Sequence, residues 1–100
     1  MQFKDLVFTP RQIGAGFGSH TEINGFVLSV QASSMSYCTP REDLASVDDY
    51  ASFEIAVWEA DGDRNWVTRD FIDDLNDDVA GWQTREDIDS VIQKLIIIKK

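Results

Sequence analysis

The sequence predicts a single α+β domain over residues 1–100, in which a C-terminal amphipathic helix packs on one face of an antiparallel sheet of about four strands. Three observations lead to this prediction: an apolar stripe at helical spacing after Thr84, an Asn24-Gly25 turn signal, and strict alternation over Ser52–Glu59. The hydrophobic fraction of 43% argues against an intrinsically disordered chain, despite a formal charge of −9. One core is expected, because 100 residues are too few for two.

The N-terminal segment predicts an edge strand followed by a flexible loop. Apolar residues between Phe3 and Phe8 favour β structure, and the run ends at Thr9-Pro10 because proline has no N–H for a strand ladder. Glycines alternate through Ile13–Gly18, where positive φ angles become accessible. A nucleotide-binding loop is not expected there, since His20-Thr21-Glu22 follow instead of the Lys-Ser/Thr ending of a phosphate loop.

The strongest turn signal in the chain is Asn24-Gly25, which predicts a type I′ turn between strands over Ser19–Ile23 and Phe26–Gln31. Period-two alternation separates the second strand into two sets of side chains. The apolar set should face the helix and consists of Phe26, Leu28 and Val30. The set that should face away consists of Val27, Ser29 and Gln31. A tight hairpin with one apolar face is therefore expected.

The middle of the chain predicts a loop and then a second hairpin. Ala32–Asp49 is rich in serine and lacks periodicity, with one helical turn expected over Arg41–Val47. Ser52–Glu59 alternates as a strand with one core face. Asp61-Gly62 should then turn the chain into a partner strand over Trp66–Thr68.

Between this hairpin and the helix, the sequence predicts a short turn over Arg69–Leu75 and a packed tryptophan. The apolar side chains of the turn are expected to face inward: Phe71, Ile72 and Leu75. Gly81 is available for a further turn, and Trp82 is expected to pack as a hydrophobic staple ahead of the helix.

The helix is predicted to begin at Thr84, because Asp87 three residues later nearly matches a capping box. The following apolar residues share one stripe: Ile88, Val91, Ile92, Leu95 and Ile96. Ile97 lies opposite this stripe on the helical wheel, and Ile98 lies at its margin. Such a stripe needs cover, which the sheet formed by the preceding residues is expected to provide.

No residue set predicts catalysis, a cofactor or a metal site, and a non-enzymatic protein is expected. His20 is the only histidine in the sequence, so a strand-surface position is favoured over a metal set or a Ser-His-Asp arrangement. Cys38 is the only cysteine and is expected to be a partly buried small residue rather than a nucleophile. Asp61, Asp63 and Asn65 alternate like the start of a calcium loop, but the required glycine and glutamate are not in place.

The negative charge is concentrated in Glu59–Asp89, where eleven acids stand against three arginines, while the remaining residues carry a net charge of only −1. This composition disfavours direct binding to nucleic acid and favours a basic partner. A solvated face is the ordinary explanation of such a run, and a partner-binding surface is the alternative. The candidate partner-binding residues are Asp70, Asp73, Asp74, Asp77, Asp78, Glu86, Asp87 and Asp89.

The sequence gives no sign of membrane insertion or secretion. Apolar runs reach only four residues, as at Leu95–Ile98, whereas a membrane-spanning helix needs about 20. No cationic segment followed by a long apolar run begins the chain. A cytoplasmic location is therefore expected.

Several short motifs, taken in order, resemble a set of small uncharacterised proteins encoded in tailed-phage and prophage genomes. These motifs are Asp5-Leu6-Val7-Phe8-Thr9-Pro10, the glycine-rich loop, His20-Thr21, Asn24-Gly25, Phe53-Glu54-Ile55-Ala56-Val57, and Asp77-Asp78-Val79-Ala80-Gly81 with Thr84 and Asp87. The resemblance covers most of the chain and implies no catalytic residues. A phage protein of this size is expected to act by binding, in the cytoplasm of the host.

Two hypotheses of function are consistent with these observations. In the first, the protein is an interaction module whose acidic face occupies a basic, nucleic-acid-binding surface of a host protein, as a DNA mimic would. In the second, it is a homo-oligomeric structural or assembly protein. The two isoleucines outside the helical stripe, Ile97 and Ile98, motivate the second hypothesis, since a homodimer would cover them.

Overall fold

The structure is a computed structural model that describes residues 1–10, 16–61, 65–72, 75 and 77–98. Five antiparallel strands form one sheet in the order β1-β2-β3-β4-β5, and a helix, α1, follows the last strand. The strands are β1 (Thr9–Pro10), β2 (Phe17–Ile23), β3 (Phe26–Ala32), β4 (Phe53–Glu59) and β5 (Ala80–Gln83), and α1 spans Arg85–Ile97. The predicted α+β class is confirmed, but the sheet has five strands rather than about four.

The central hairpin forms as predicted. Asn24 and Gly25 have φ angles of 51° and 86°, and Ile23 pairs directly with Phe26 across the two-residue turn. Positive φ at both turn positions matches the right-handed twist of the flanking strands. Leu28 and Val30, on the face toward α1, are completely buried.

Helix α1 begins at the predicted cap. The Thr84 hydroxyl accepts a hydrogen bond from the Asp87 amide at 3.1 Å, and the Asp87 carboxylate accepts one from the Thr84 amide at 3.0 Å. The buried stripe consists of Ile88, Val91, Ile92 and Leu95. The prediction is wrong for Ile96, which is 42% exposed. At 100° per residue, Ile96 lies about 80° from Ile88, at the solvent edge of the stripe.

The N-terminal strand is shorter and later than predicted. Phe3–Asp5 forms a 3-10 turn, and only Thr9–Pro10 pairs with the sheet, at its edge. The Asp5 carboxylate accepts the Gln2 amide at 2.9 Å, which stabilises a turn instead of a strand. The edge position is confirmed. Residues 13–15 of the predicted glycine loop lie outside the described residues, and Phe17 and Gly18 belong to β2.

The second hairpin forms only in part, and a strand that the sequence did not predict completes the sheet. Trp66 makes an isolated bridge to Trp58, but β4 pairs with β3 on one edge and with β5 on the other. The expectation that Gly81 and Trp82 form a turn and a staple is therefore wrong. Gly81 and Trp82 lie within β5, and Trp82 is 59% exposed with a φ angle of 54°. One extra residue in β5 opposite β4 makes a β-bulge there.

The long segment between β3 and β4 is irregular, as predicted, but its helical turn lies at Val47–Asp49 rather than at Arg41–Val47. The Ser46 hydroxyl caps this turn by accepting the Asp48 amide at 3.2 Å. Tyr50 secures the preceding chain, because its hydroxyl donates to the Glu42 carbonyl at 2.6 Å and accepts the Leu44 amide at 2.9 Å. The Thr39-Pro40 bond in this segment is cis.

The core lies between the sheet and α1. Phe71 is buried there and Ile72 and Leu75 are half-buried, so the predicted inward positions after β4 are confirmed. The Lys94 ammonium donates to the Phe71 carbonyl at 3.0 Å and links this segment to the later turns of α1. Within the described part of the chain, no helix has the length and apolar character needed to cross a bilayer.

Candidate functional site

The face of the sheet that points away from α1 is the candidate functional site, and we call it the helix-free face. It is formed by alternate positions of β2, β3 and β4, because the other set of positions packs against α1. The strand residues on this face are Gly18, His20, Glu22, Val27, Ser29, Gln31, Glu54, Ala56 and Trp58. They include two carboxylates and neither lysine nor arginine, so this face shares the acidic character of the chain.

A shallow cavity of about 230 Å³ lies on the helix-free face. Its lining is mostly apolar, with a few polar groups that converge from three strands. Residues that contribute to the lining include His20, Gln31, Glu54, Ala56, Trp58 and Trp66. An apolar cavity with a few convergent polar groups is the usual form of a binding site.

Aromatic rings form one wall of the cavity. The Trp58 and Trp66 ring centroids are 5.0 Å apart, and the His20 ring meets Trp58 edge-on at 5.4 Å. The register explains both contacts. His20 pairs with Ser29 and Trp58 pairs with Val27, two residues earlier on the same face of β3, while Trp66 forms the isolated bridge to Trp58. Trp66 remains 40% exposed. The wall therefore presents an accessible indole ring.

Polar side chains on the other side of the cavity are held by hydrogen bonds. The Tyr37 amide donates to Glu54 Oε2 at 2.9 Å, and Gln31 Nε2 donates to the Ser29 hydroxyl at 3.3 Å. Gly18 makes room for the Gln31 amide, because a Cβ there would lie 3.0 Å from its nitrogen and oxygen. No described residue donates to the other Glu54 oxygen or to Gln31 Oε1. Two acceptors are thus held in place beside the aromatic wall.

A second aromatic group lies beside Glu54. The Tyr37 and Trp82 rings are 5.3 Å apart, and the Arg41 guanidinium lies 4.9 Å from the centre of the Tyr37 ring. Gly81 permits this approach, since a Cβ there would lie 2.7 Å from Tyr37 Cβ. Because the Tyr37 amide also binds Glu54, this group continues the surface of the cavity toward the edge of the sheet.

The acidic residues singled out from the sequence have different environments. Asp70, Asp77 and Asp78 are exposed, and Asp78 pairs with Arg69 at 3.1 Å. Glu86 is exposed in the first turn of α1, whereas Asp87 is engaged in the capping box. Asp89 is half-buried, and its carboxylate accepts the Phe3 amide at 2.6 Å. Asp73 and Asp74 lie outside the described residues.

These acids form two groups rather than one continuous run. The first group lies around Arg69 and consists of Asp70, Asp77 and Asp78, and the second lies at the start of α1 and consists of Glu86, Asp87 and Asp89. Arg85 donates to the Tyr50 carbonyl at 2.8 Å, so the first turn of α1 lies beside the segment that precedes β4. Lys94 instead contacts the Phe71 carbonyl, next to Asp70. Asp87 and Lys94 are seven residues apart on α1, which at 1.5 Å per residue is about 10 Å. The two groups are separated by roughly this distance along the helix.

His20 and Cys38 lie in different environments. His20 is exposed on the strand surface, as predicted. Cys38 is more buried than expected, at 2% exposure, and its burial raises the pKa of the thiol. Among the described residues, no three histidine, cysteine, aspartate or glutamate side chains come together to hold a metal ion. Asp63 of the calcium-like spacing lies outside that set.

Sequence reasoning missed the cavity. The alternation of β3 and β4 was recognised, and it assigns Gln31, Glu54 and Trp58 to the face away from α1. That assignment was a usable signal for a polar and aromatic surface. The predicted partner strand over Trp66–Thr68 places Trp66 beside β4, and the bridge to Trp58 confirms this in part, but no sequence pattern indicates that the Trp66 ring lines a cavity.

Comparison of the chain with protein-family models, with curated proteins and with solved structures finds no match.

Proposed function

We propose that this protein is a non-enzymatic protein-interaction module that binds a basic protein surface. The observation that supports this most is the excess of acidic over basic residues, together with exposed acids that form no ion pair with a described residue. The chain has 18 acids and 9 basic residues, and the described residues contain one ion pair, between Arg69 and Asp78. Unpaired surface carboxylates attract a partner of opposite charge and accelerate the encounter.

Three acids are best placed to contact the partner. Asp70, Asp77 and Glu86 are exposed, and none forms an ion pair with a described residue. The Asp87 and Asp89 carboxylates already accept hydrogen bonds from backbone amides, so their main role is to stabilise the fold. The two acidic groups would meet cationic positions on the partner that otherwise bind nucleic-acid phosphates, which is the DNA-mimic form of the proposal.

Binding to a defined basic probe tests this proposal. The full chain is titrated with a lysine 20-mer by calorimetry at low and high salt. We expect an affinity that falls about tenfold or more between about 50 and 200 mM NaCl, as several charge contacts require. A DNA-binding protein whose DNA is displaced by the chain would support the mimic form. Absence of binding at low salt, or binding that is insensitive to salt, contradicts the proposal.

A pair of matched triple variants separates these acids from general charge. The site variant is Asp70→Asn/Asp77→Asn/Glu86→Gln, and the control is Glu42→Gln/Asp48→Asn/Asp49→Asn. All six positions are exposed, and each variant removes three charges. We expect the site variant to weaken binding about tenfold more than the control, because direct contacts outweigh the long-range field. Equal losses of affinity in the two triple variants would show that binding depends only on net charge.

A homo-oligomeric assembly protein is the alternative, and one observation favours it. Ile97 is 76% exposed on the side of α1 opposite the buried stripe, and Ile96 is 42% exposed at the edge of that stripe, whereas Ile98 packs against the core and is half-buried. Sedimentation velocity over a wide concentration range decides between the two. A monomer at all concentrations rejects this alternative, whereas a dimer that Ile97→Lys dissociates supports it.

A further inference from the structure

We infer that the cavity on the helix-free face receives one arginine side chain from the basic partner. This inference rests on the proposed function, since it specifies how a positively charged partner is recognised. Four features of the cavity support this inference: its size, its negative charge, an accessible aromatic ring, and two hydrogen-bond acceptors on side chains that are fixed by other hydrogen bonds.

The size of the cavity fits a single side chain. Its volume is about 230 Å³, below the roughly 300–1,000 Å³ that is typical of pockets for small-molecule ligands. The cavity lies on the surface of the sheet, so a side chain can enter from a neighbouring chain. A long ligand would extend beyond the cavity and over the second aromatic group of Tyr37 and Trp82.

The negative charge of the helix-free face favours a cationic ligand over an anionic one. Glu54 lines the cavity, and Glu22 lies on the same face of the sheet. The strand positions of this face carry no lysine or arginine, and the whole chain has a formal charge of −9. Glu54 and Glu22 would repel an anionic ligand and attract a cationic one, both during the approach and in the bound state.

The aromatic wall and the held acceptors distinguish arginine from lysine. Trp66 is 40% exposed, and a planar guanidinium can stack on an accessible indole ring while its edge donates hydrogen bonds. Glu54 and Gln31 each keep one acceptor oxygen without a described donor, and hydrogen bonds hold both side chains. The forked donors of arginine fit two neighbouring acceptors, while an ammonium group offers only a point charge.

A peptide titration with a neutral isostere tests the inference. The probe is the capped peptide Gly-Ser-Arg-Ser-Gly, and its controls carry citrulline or lysine in place of arginine. Titration of the ¹⁵N-labelled full chain should shift the Gln31, Glu54 and Trp66 signals. We expect the arginine peptide to bind at least about fivefold more tightly than the citrulline peptide, and about twofold more tightly than the lysine peptide. Equal binding of the arginine and citrulline peptides would overturn the inference.

Single variants locate the binding site. Glu54→Gln keeps an acceptor for the Tyr37 amide and removes the charge, and Trp66→Ala removes an exposed ring. We expect each to weaken the arginine peptide about threefold to tenfold. Trp66→Phe replaces Trp66→Ala if the alanine variant loses its folded spectrum. The controls Val7→Ala and Asp48→Asn, at exposed positions that do not line the cavity, should change the affinity less than twofold. Unchanged affinity in Glu54→Gln and Trp66→Ala would overturn the inference.

The two proposals fail in different ways. Lysine 20-mer binding without any arginine-dependent shift at Gln31, Glu54 and Trp66 would overturn the cavity inference and leave the interaction module intact. Arginine-dependent shifts without lysine 20-mer binding would overturn the proposed binding of a basic surface and leave the cavity as an isolated arginine site.

Discussion

At the scale of single residues, Trp82 shows how tertiary contacts hold a side chain in an unfavourable backbone conformation. A bulky residue at a φ of 54° is uncommon, because Cβ then approaches the backbone. The stack on the Tyr37 ring and the hydrogen bond that the Trp82 amide donates to the Tyr37 carbonyl at 2.8 Å hold Trp82 there. Such positions concentrate at functional surfaces, and Trp82 lies beside the cavity that Glu54 lines.

Replacing Trp82 separates backbone strain from ring packing. Both Trp82→Ala and Trp82→Gly lose the stack on Tyr37, but only glycine adopts positive φ without strain. We expect the glycine variant to be more stable than the alanine variant by about 1 kcal/mol in free energy of unfolding. Urea denaturation measures this difference, and an alanine variant that equals or exceeds the glycine variant would contradict it.

Asp89 is a partner-binding candidate whose structural role is explicit. Its carboxylate accepts the Phe3 amide and holds the N-terminal turn against α1. Asp89→Ala should lower the free energy of unfolding by about 1–2 kcal/mol, since the amide loses a charged acceptor. Asp89→Asn keeps an acceptor and should cost less. Glu86→Ala, at an exposed position in the same helix, should change stability by no more than about 0.5 kcal/mol in urea titrations.

Cys38 makes stability depend on alkaline pH. Burial raises the pKa of its thiol above the ordinary value of 9.0, so the folded state binds the proton more tightly than the unfolded state. The stability that the protonated Cys38 thiol contributes to the folded state is therefore complete below pH 9.0, and it is lost as the pH rises through the pKa of the folded state. Denaturation at successive pH values should show a smaller alkaline loss of stability in Cys38→Ser than in the parent. An identical pH profile would show that other groups control the loss.

At the scale of secondary-structure elements, the start of α1 is determined by local chemistry. The side chains of Thr84 and Asp87 each accept a hydrogen bond from the backbone amide of the other residue. Thr84→Ala removes the capping oxygen and should lower the free energy of unfolding by about 1 kcal/mol, whereas Thr84→Ser should nearly preserve it. Thermal and urea denaturation measure both. An equal loss in the alanine and serine variants would assign the effect to the methyl group instead of the cap.

β5 illustrates an element that local chemistry does not determine. Ala80–Gln83 contains a glycine and a residue at positive φ, which are features of a turn. The segment becomes a strand because the open edge of β4 offers backbone partners, and a bulge absorbs its extra residue. The stack of Trp82 on Tyr37 then fixes the position of the bulged segment against the loop that carries Tyr37.

At the scale of the whole molecule, the excess of negative charge should oppose folding at low salt. The Debye length falls from about 30 Å at 0.01 M salt to about 10 Å at 0.1 M, so added salt screens repulsion across the entire domain. We expect the melting temperature to rise by about 4 °C over this range, which corresponds to about 1 kcal/mol. Calorimetry at both salt concentrations measures the shift. The charge-reduced variant Glu42→Gln/Asp48→Asn/Asp49→Asn should shift less, and an equal shift would contradict screening of net charge.

The sequence by itself determined the central hairpin, the cap and buried stripe of α1, and the face to which each residue of β3 and β4 belongs. These features depend on neighbours within a few residues, through positive φ at Asn24-Gly25, reciprocal capping, and the periods of helix and strand. Only the tertiary structure decided that β5 pairs with β4 and that Trp66, Gln31 and Glu54 surround one cavity. These outcomes depend on backbone partners and packing surfaces that distant parts of the chain provide, and no local pattern encodes them.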